Sequence, residues 1–174
     1  MKRIVVLLLI ALFLTSNAHA EVKLGQVPPV IELKDELGGR IDGSPWSSSE
    51  MKGKVFVLFY VDPDVKDLNN EASEALAKEE FPRERFQSFA VINMGATWLP
   101  NFMISSSLKD KQKQYPKTIY VRDYKKVMVK KWNISDDNSD VLVFDKEGRL
   151  IFKKDGKLGA DDIKKMLQLI KENL

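Results

Sequence analysis

Two groups of aspartates are the residues of this chain best placed to do chemistry. Asp62, Asp64 and Asp67 follow a long apolar run, and Asp136, Asp137 and Asp140, with Asn138, crowd a second short stretch. Such carboxylates supply the hard oxygens that calcium collects six to eight at a time, and they can also serve acid–base chemistry or a cationic partner. The plainer reading is structural. Aspartate before a helix caps free N–H groups and suits the helix dipole, and Pro63 fits a first-turn position. The spacing also departs from an EF-hand, because Lys66 stands where a third ligand is needed.

Ser106-Ser107-Leu108-Lys109 has the Ser-x-x-Lys spacing of penicillin-recognising enzymes, in which the lysine helps activate the serine. The accompanying Ser-Asp-Asn is absent, and Lys117-Thr118 runs into Ile119 instead of Gly. A serine N-cap on an exposed basic helix is the simpler expectation. Other chemistry is removed by composition. The chain has no cysteine and one histidine, His19. Thiolate nucleophiles and thiol redox couples are therefore excluded. If His19 is lost with a leader, imidazole bases and ordinary zinc ligands go with it.

Residues 1–20 read as such a leader. Lys2 and Arg3 are a basic start, Ile4 to Leu14 is an unbroken apolar run, and Ala18-His19-Ala20 offers small residues for cleavage after Ala20. The run is too short to cross a hydrocarbon core, and no later segment is apolar for long enough. The expectation is export to the periplasm, with a single domain over residues 21–174. Without Lys2 and Arg3 the chain carries 26 basic and 25 acidic residues, from totals of 28 and 25. That near-neutrality argues against nucleic acid as a partner. Charge is uneven, however. Lysines dominate from Lys109 to Lys131 and acids dominate from Glu21 to Phe81. The lysine-rich stretch is a candidate for weak contact with anionic surfaces.

Positioning these residues requires a set of elements. Gly25 to Pro29 reads as an arm and Val30 to Leu33 as a short extended segment. Gly38-Gly39 reads as a turn returning through Arg40 to Asp42, and Ser47 to Met51 as a short helix. Val55 to Val61 (VFVLFYV) has the continuous apolar character of a central strand buried on both faces. Leu68 to Glu79 spaces Leu68, Ala72, Ala75 and Leu76 along one helical face. Phe89 to Met94 and Thr118 to Val121 are further strands. A helix between Leu99 and Pro116 is expected to start near Ser105 to Ser107. Val127 to Ile134 is a short helix or strand. Val141 to Asp145 and Leu150 to Lys153 flank a Lys146-Glu147-Gly148 hairpin turn, and Asp161 to Asn173 is an amphipathic closing helix. Alternating strands and helices ending in a hairpin predict an α/β fold, a three-layer α/β/α sandwich of thioredoxin-like type with a mixed central sheet.

Several stretches resemble the redoxin branch of that fold: Gly25-Gln26-Val27-Pro28-Pro29, Gly53-Lys54 before the first core strand, and Val143-Phe144-Asp145-Lys146-Glu147-Gly148 with Asp155-Gly156. More specifically, the chain is similar to the YtfJ family of small exported bacterial proteins. The similarity lies in Ser106-Ser107-Leu108 with Lys113, Tyr115 and Pro116, in Trp132, in the turn through Arg149, and in Asp155-Gly156-Lys157-Leu158. The resemblance implies a periplasmic thioredoxin-like protein and carries little about activity. In thiol-dependent relatives a cysteine follows the first core strand and a cis-proline precedes the penultimate one. Here Asp62-Pro63-Asp64-Val65 and Asn138-Ser139-Asp140 stand in those places. A thiol oxidoreductase or thiol peroxidase is excluded.

In a thioredoxin-like fold the two aspartate loops meet at one pole. The leading expectation is a non-catalytic module that binds a periplasmic protein or small ligand there, with no cofactor. One alternative is a carboxylate- or metal-assisted enzyme, calcium being the candidate ion and Asp62, Asp64 and Asp140 its ligands. Another is an envelope-surface module using the lysine-rich stretch. Trp46 and Trp98, in loops, are candidate aromatic contacts for a partner, or lids folded onto the core.

Overall fold

The computed structural model describes Glu21–Leu174, so the export-signal reading of residues 1–20 falls outside the described residues. In chain order the strands are β1 (Glu32–Leu33), β2 (Gly38–Arg40), β3 (Trp46–Ser47), β4 (Val55–Val61), β5 (Phe86–Asn93), β6 (Thr118–Asp123), β7 (Ser139–Phe144) and β8 (Leu150–Lys154). The helices are α1 (Asn70–Lys78), α2 (Asn101–Gln114), α3 (Val127–Trp132) and α4 (Ala160–Asn173). β1 and β3 form a small antiparallel ribbon, and the other six strands form one sheet ordered β2-β6-β5-β4-β7-β8. β4, β5 and β6 are parallel, whereas β2, β7 and β8 run antiparallel to their neighbours.

The sheet is sandwiched, as its order of elements requires. One face presents Phe56, Leu58, Tyr60, Phe89 and Val91 to Trp46, α3 and the N-terminal arm. Aromatic packing is dense there: Trp46 meets Phe89 edge-on at 5.7 Å, and Trp132 lies 5.8 Å from Phe144. Backbone and indole hydrogen bonds tie the arm down. Val22 N–H donates to Trp132 O at 3.1 Å, Gly25 N–H to Leu150 O at 2.8 Å, and Trp132 Nε1 to Pro29 O at 2.8 Å. The opposite face carries two separate clusters. Val55, Val57 and Phe59 pack with Leu76 of α1 and Met166 and Ile170 of α4. Ala90, Ile92 and Tyr120 pack with Ile104 and Leu108 of α2.

Three expectations are corrected. Gly38-Gly39 is not a turn but part of β2, paired with β6. The close approach demands glycine, since a Cβ on Gly38 (φ +140) would lie 1.9 Å from the Arg122 carbonyl oxygen. α2 begins at Asn101, directly after Pro100, so Ser106 is mid-helix and caps nothing. Trp46 is not a partner contact: it is 1% exposed and, as the other reading had it, folds onto the core, where the β1–β3 ribbon sets it against Phe89.

Candidate functional site

The parallel strands β4, β5 and β6 all end at one pole of the sheet, the place where open α/β sheets gather ligands. Side-chain alternation places Tyr60, Asn93 and Asp123 on the arm-covered face there. β7 enters from the same pole and sets Asp140 opposite Tyr60. All four side chains are buried. The two aspartate loops do meet: Asp62 N–H donates to Asn138 O at 3.0 Å.

Most of this polar layer is directed at the protein itself. Asp62 Oδ1 accepts from Asp64 N–H at 2.8 Å and caps the short turn Pro63–Val65, so the capping reading of this aspartate describes what it does. Asp64 in turn accepts from the Thr97 hydroxyl at 3.0 Å. Asp136 pairs with Lys126 Nζ at 2.7 Å and accepts from Asn93 Nδ2 at 3.0 Å. Asn138 Oδ1 accepts from Ser139 N–H, and Asp67 Oδ1 from Asn70 Nδ2. Asp140 Oδ2 accepts from Ser135 N–H at 2.7 Å, while its Oδ1 has no hydrogen-bond partner among the described residues. Asp137 is exposed.

Electrostatics follow from this packing. Burial pushes the Asp140 carboxyl up to about 6, against the pull of the Ser135 N–H, with Asp155 adding to the rise. Burial also raises Asp62, and the neighbouring carboxylates of Asp64, Asp137 and Asp136 add to it. Burial works the other way to its partners at Asp136, where hydrogen bonds from Lys126 and Asn93 prevail and hold the carboxyl below the ordinary range. The Tyr60 hydroxyl is raised by burial and by the Asp123 carboxylate beside it. Among the described residues, no group of three or more Asp, Glu or His side chains is arranged to hold a metal ion.

Three residues of the pole escape sequence reasoning. Asp123 is fully buried, accepting from Val127 N–H at 2.9 Å, Met128 N–H at 3.0 Å and the Tyr60 hydroxyl at 3.2 Å. It anchors α3 to the sheet. Asn93 bridges β5 to the Asp136 loop. Asn69, at the start of α1, ties β7 to the loop before α4, donating to Ser139 O and Gly156 O and accepting from Leu158 N–H. The only signal available was a polar residue closing an apolar strand, which Asn93 and Asp123 share.

Beside the pole, on the opposite face, a groove of about 600 Å³ separates α1 from α2. Its floor is Phe59, Val61, Ala90 and Ile92, and its walls include Leu76, Ile104 and Leu108. It opens at the pole by Pro63, Leu99 and Met103. Trp98 and Phe102 stand next to this opening in sequence and are 90% and 75% exposed. The lysines from Lys109 to Lys131 do not form one surface. α2 packs on the groove face and α3 on the arm-covered face, and Lys126 is held by Asp136. Ser106 and Lys109 are both exposed on α2.

A mixed sheet with this order, closed by a hairpin and a terminal helix, defines a thioredoxin-like protein in which carboxylates occupy the pole. Solved structures agree on the fold. A thioredoxin domain of a thiol-disulfide oxidoreductase from Bacteroides vulgatus matches with a TM-score of 0.64 at 19% identity, covering 88% of this chain and 100% of that one. The exposed lipoprotein thioredoxin Etrx1 of Streptococcus pneumoniae matches at 0.58 and 20%, covering 83% and 99%. The chain belongs to the family described as bacterial protein of unknown function (YtfJ_HI0045), whose model matches residues 25–173. It is 28% identical to the uncharacterized protein YtfJ of Escherichia coli, over 100% of this chain and 98% of that protein. It is 24% identical to an uncharacterized protein of Haemophilus influenzae, over 97% and 96%.

Proposed function

We propose that this protein is a non-catalytic binding module of the bacterial periplasm, taking its ligand or partner at the pole and in the groove that opens there. One contrast carries the reading. Most polar groups of the pole are turned inward and bonded to their own loops, while the adjacent apolar groove stays open, with the exposed Trp98 and Phe102 next in sequence to its lining residues Leu99 and Met103. Large exposed apolar side chains next to a groove are the usual dress of a recognition surface. The carboxylate-assisted enzyme reading draws its support from Asp62 and Asp140, whose raised carboxyls are both buried away from solvent.

Two measurements test the proposal. Cell fractionation should recover the protein in the periplasmic fraction at a mass lacking residues 1–20. Recovery in the cytoplasm at full mass overturns the location. A solvatochromic naphthalene dye should bind the purified protein in saturable fashion, and Met103→Glu should abolish that binding with little change in melting temperature. A melt that rises with calcium and falls back with chelator, together with unchanged dye binding by Met103→Glu, would instead favour a metal site at Asp62, Asp64 and Asp140.

A further inference from the structure

We infer that the groove is a site for one medium- to long-chain fatty acid, its carboxylate at the basic end and its alkyl chain running toward the pole. This deepens the binding reading above and rests on it. The floor strand β5 offers Phe86, Ser88, Ala90 and Ile92 in alternation, about 20 Å of length at roughly 3.3 Å per residue. The volume of about 600 Å³ lies within the range of small-molecule sites, roughly 300–1,000 Å³. The space lies between two helix walls, α1 and α2.

Charge sets the direction. At the end remote from the pole, Arg83, Lys111 and Lys117 line the mouth, opposed by Glu80 alone. Among the described residues none of these three cations forms a salt bridge with a carboxylate, whereas lysines elsewhere do, such as Lys171 with Glu79 and Lys126 with Asp136. Lys111 Nζ is held 5.7 Å over the Tyr115 ring, beside the mouth. The pole end carries the exposed carboxylates Asp64 and Asp67 with Lys66. An anionic head is therefore drawn to one end and repelled from the other, and the apolar floor receives the tail between them.

The test is calorimetric titration of the delipidated protein with decanoate, dodecanoate and tetradecanoate, beside dodecanol and dodecyltrimethylammonium as neutral and cationic heads on the same tail. One molecule should bind per protein, each added methylene should tighten binding by about fourfold, and the cationic amphiphile should bind about tenfold more weakly or worse. Lys111→Glu with Lys117→Glu should cost dodecanoate about tenfold and leave dodecanol unchanged. Ala77→Trp on α1 and Ser107→Trp on α2 fill the groove from either wall, both from exposed positions that tolerate bulk. Each should weaken dodecanoate strongly, with melting temperature as the check on folding. Equal, plug-sensitive binding of all three heads overturns the fatty-acid assignment and leaves the binding reading standing. Absence of any plug-sensitive binding, while the dye is likewise indifferent to Met103→Glu, overturns both.

Discussion

The two faces of the sheet solve the same problem in opposite ways. On one, the arm, the β1–β3 ribbon and α3 seal the sheet with two fully buried tryptophans, and the polar residues at its pole are bonded to backbone. On the other, α1 and α4 cover the β4–β7 half while α2 covers the β5–β6 half, and a groove runs between the two. Both faces are apolar, so hydrophobicity alone does not distinguish stability from recognition. What distinguishes them is closure: one surface is covered by the arm, the ribbon and α3, and the other lacks contacts along a line between two helices.

That difference is broken most sharply at the sealed face. Trp132→Ala removes a fully buried indole, its tilted contact with Phe144 and its hydrogen bond to the arm at Pro29. The expected loss is roughly 3–5 kcal/mol, read as a fall in the urea midpoint, with earlier proteolysis near Pro29. A loss below about 1 kcal/mol would mean that the arm is not part of the cooperative unit. Asp123→Ala comes next. It leaves the Val127 and Met128 amides and the Tyr60 hydroxyl without their acceptor in a buried site, at a cost of about 3 kcal/mol. Asp123→Asn keeps an acceptor oxygen and should recover part of it.

A pH experiment sharpens the comparison at the pole. Asp140 has a folded-state carboxyl near 6 against an ordinary value of 3.8. The folded protein therefore binds the proton more tightly than the unfolded chain. Its contribution is complete below the unfolded value and fades as pH rises from about 4 to about 6, by roughly 2–3 kcal/mol. Asp62 acts in the same direction, while Asp136, whose carboxyl is lowered, acts against it. The clean measurement is the difference in urea-unfolding free energy between the wild type and Asp140→Asn at pH 4, 5, 6 and 7. The variant should gain on the wild type across that window; parallel curves would mean that Asp140 is ionised in the fold.

The order of elements was legible because β4 reads as one apolar run and α1 and α4 as amphipathic faces. The meeting of the Asp62 and Asn138 loops followed from that order. What sequence could not supply is orientation. Trp46 and Trp98 both sit among loop-forming residues, yet one is 1% and the other 90% exposed, because only Trp46 belongs to a strand that pairs. Asp123 and Asn93 look like strand-ending polar residues, and nothing in their spacing says that they face inward. The groove is equally silent: Ala90 and Ile92 read as core whichever helix stands over them. The lysine-rich stretch reads as continuous only because a one-dimensional chain does not reveal that β6 carries α2 and α3 to opposite faces.

The smallest effect expected is at Ser106 and Lys109. Both lie on the solvent side of α2, five or more positions from the first helical residue, Asn101, where a serine hydroxyl can no longer cap amides. Alanine also favours a helix interior over serine by a few tenths of a kcal/mol. Ser106→Ala and Lys109→Ala should each shift stability by less than about 0.5 kcal/mol, and Ser106→Ala in the stabilising direction. Neither side chain lines the groove floor, so dye and dodecanoate affinities should remain at wild-type level. A covalent adduct of Ser106 with a fluorescent penicillin, lost in Ser106→Ala, would contradict this and move the chemistry from the pole to the middle of α2. Without it, the Ser-x-x-Lys spacing is what two solvent-facing positions three apart on a helix produce by ordinary composition.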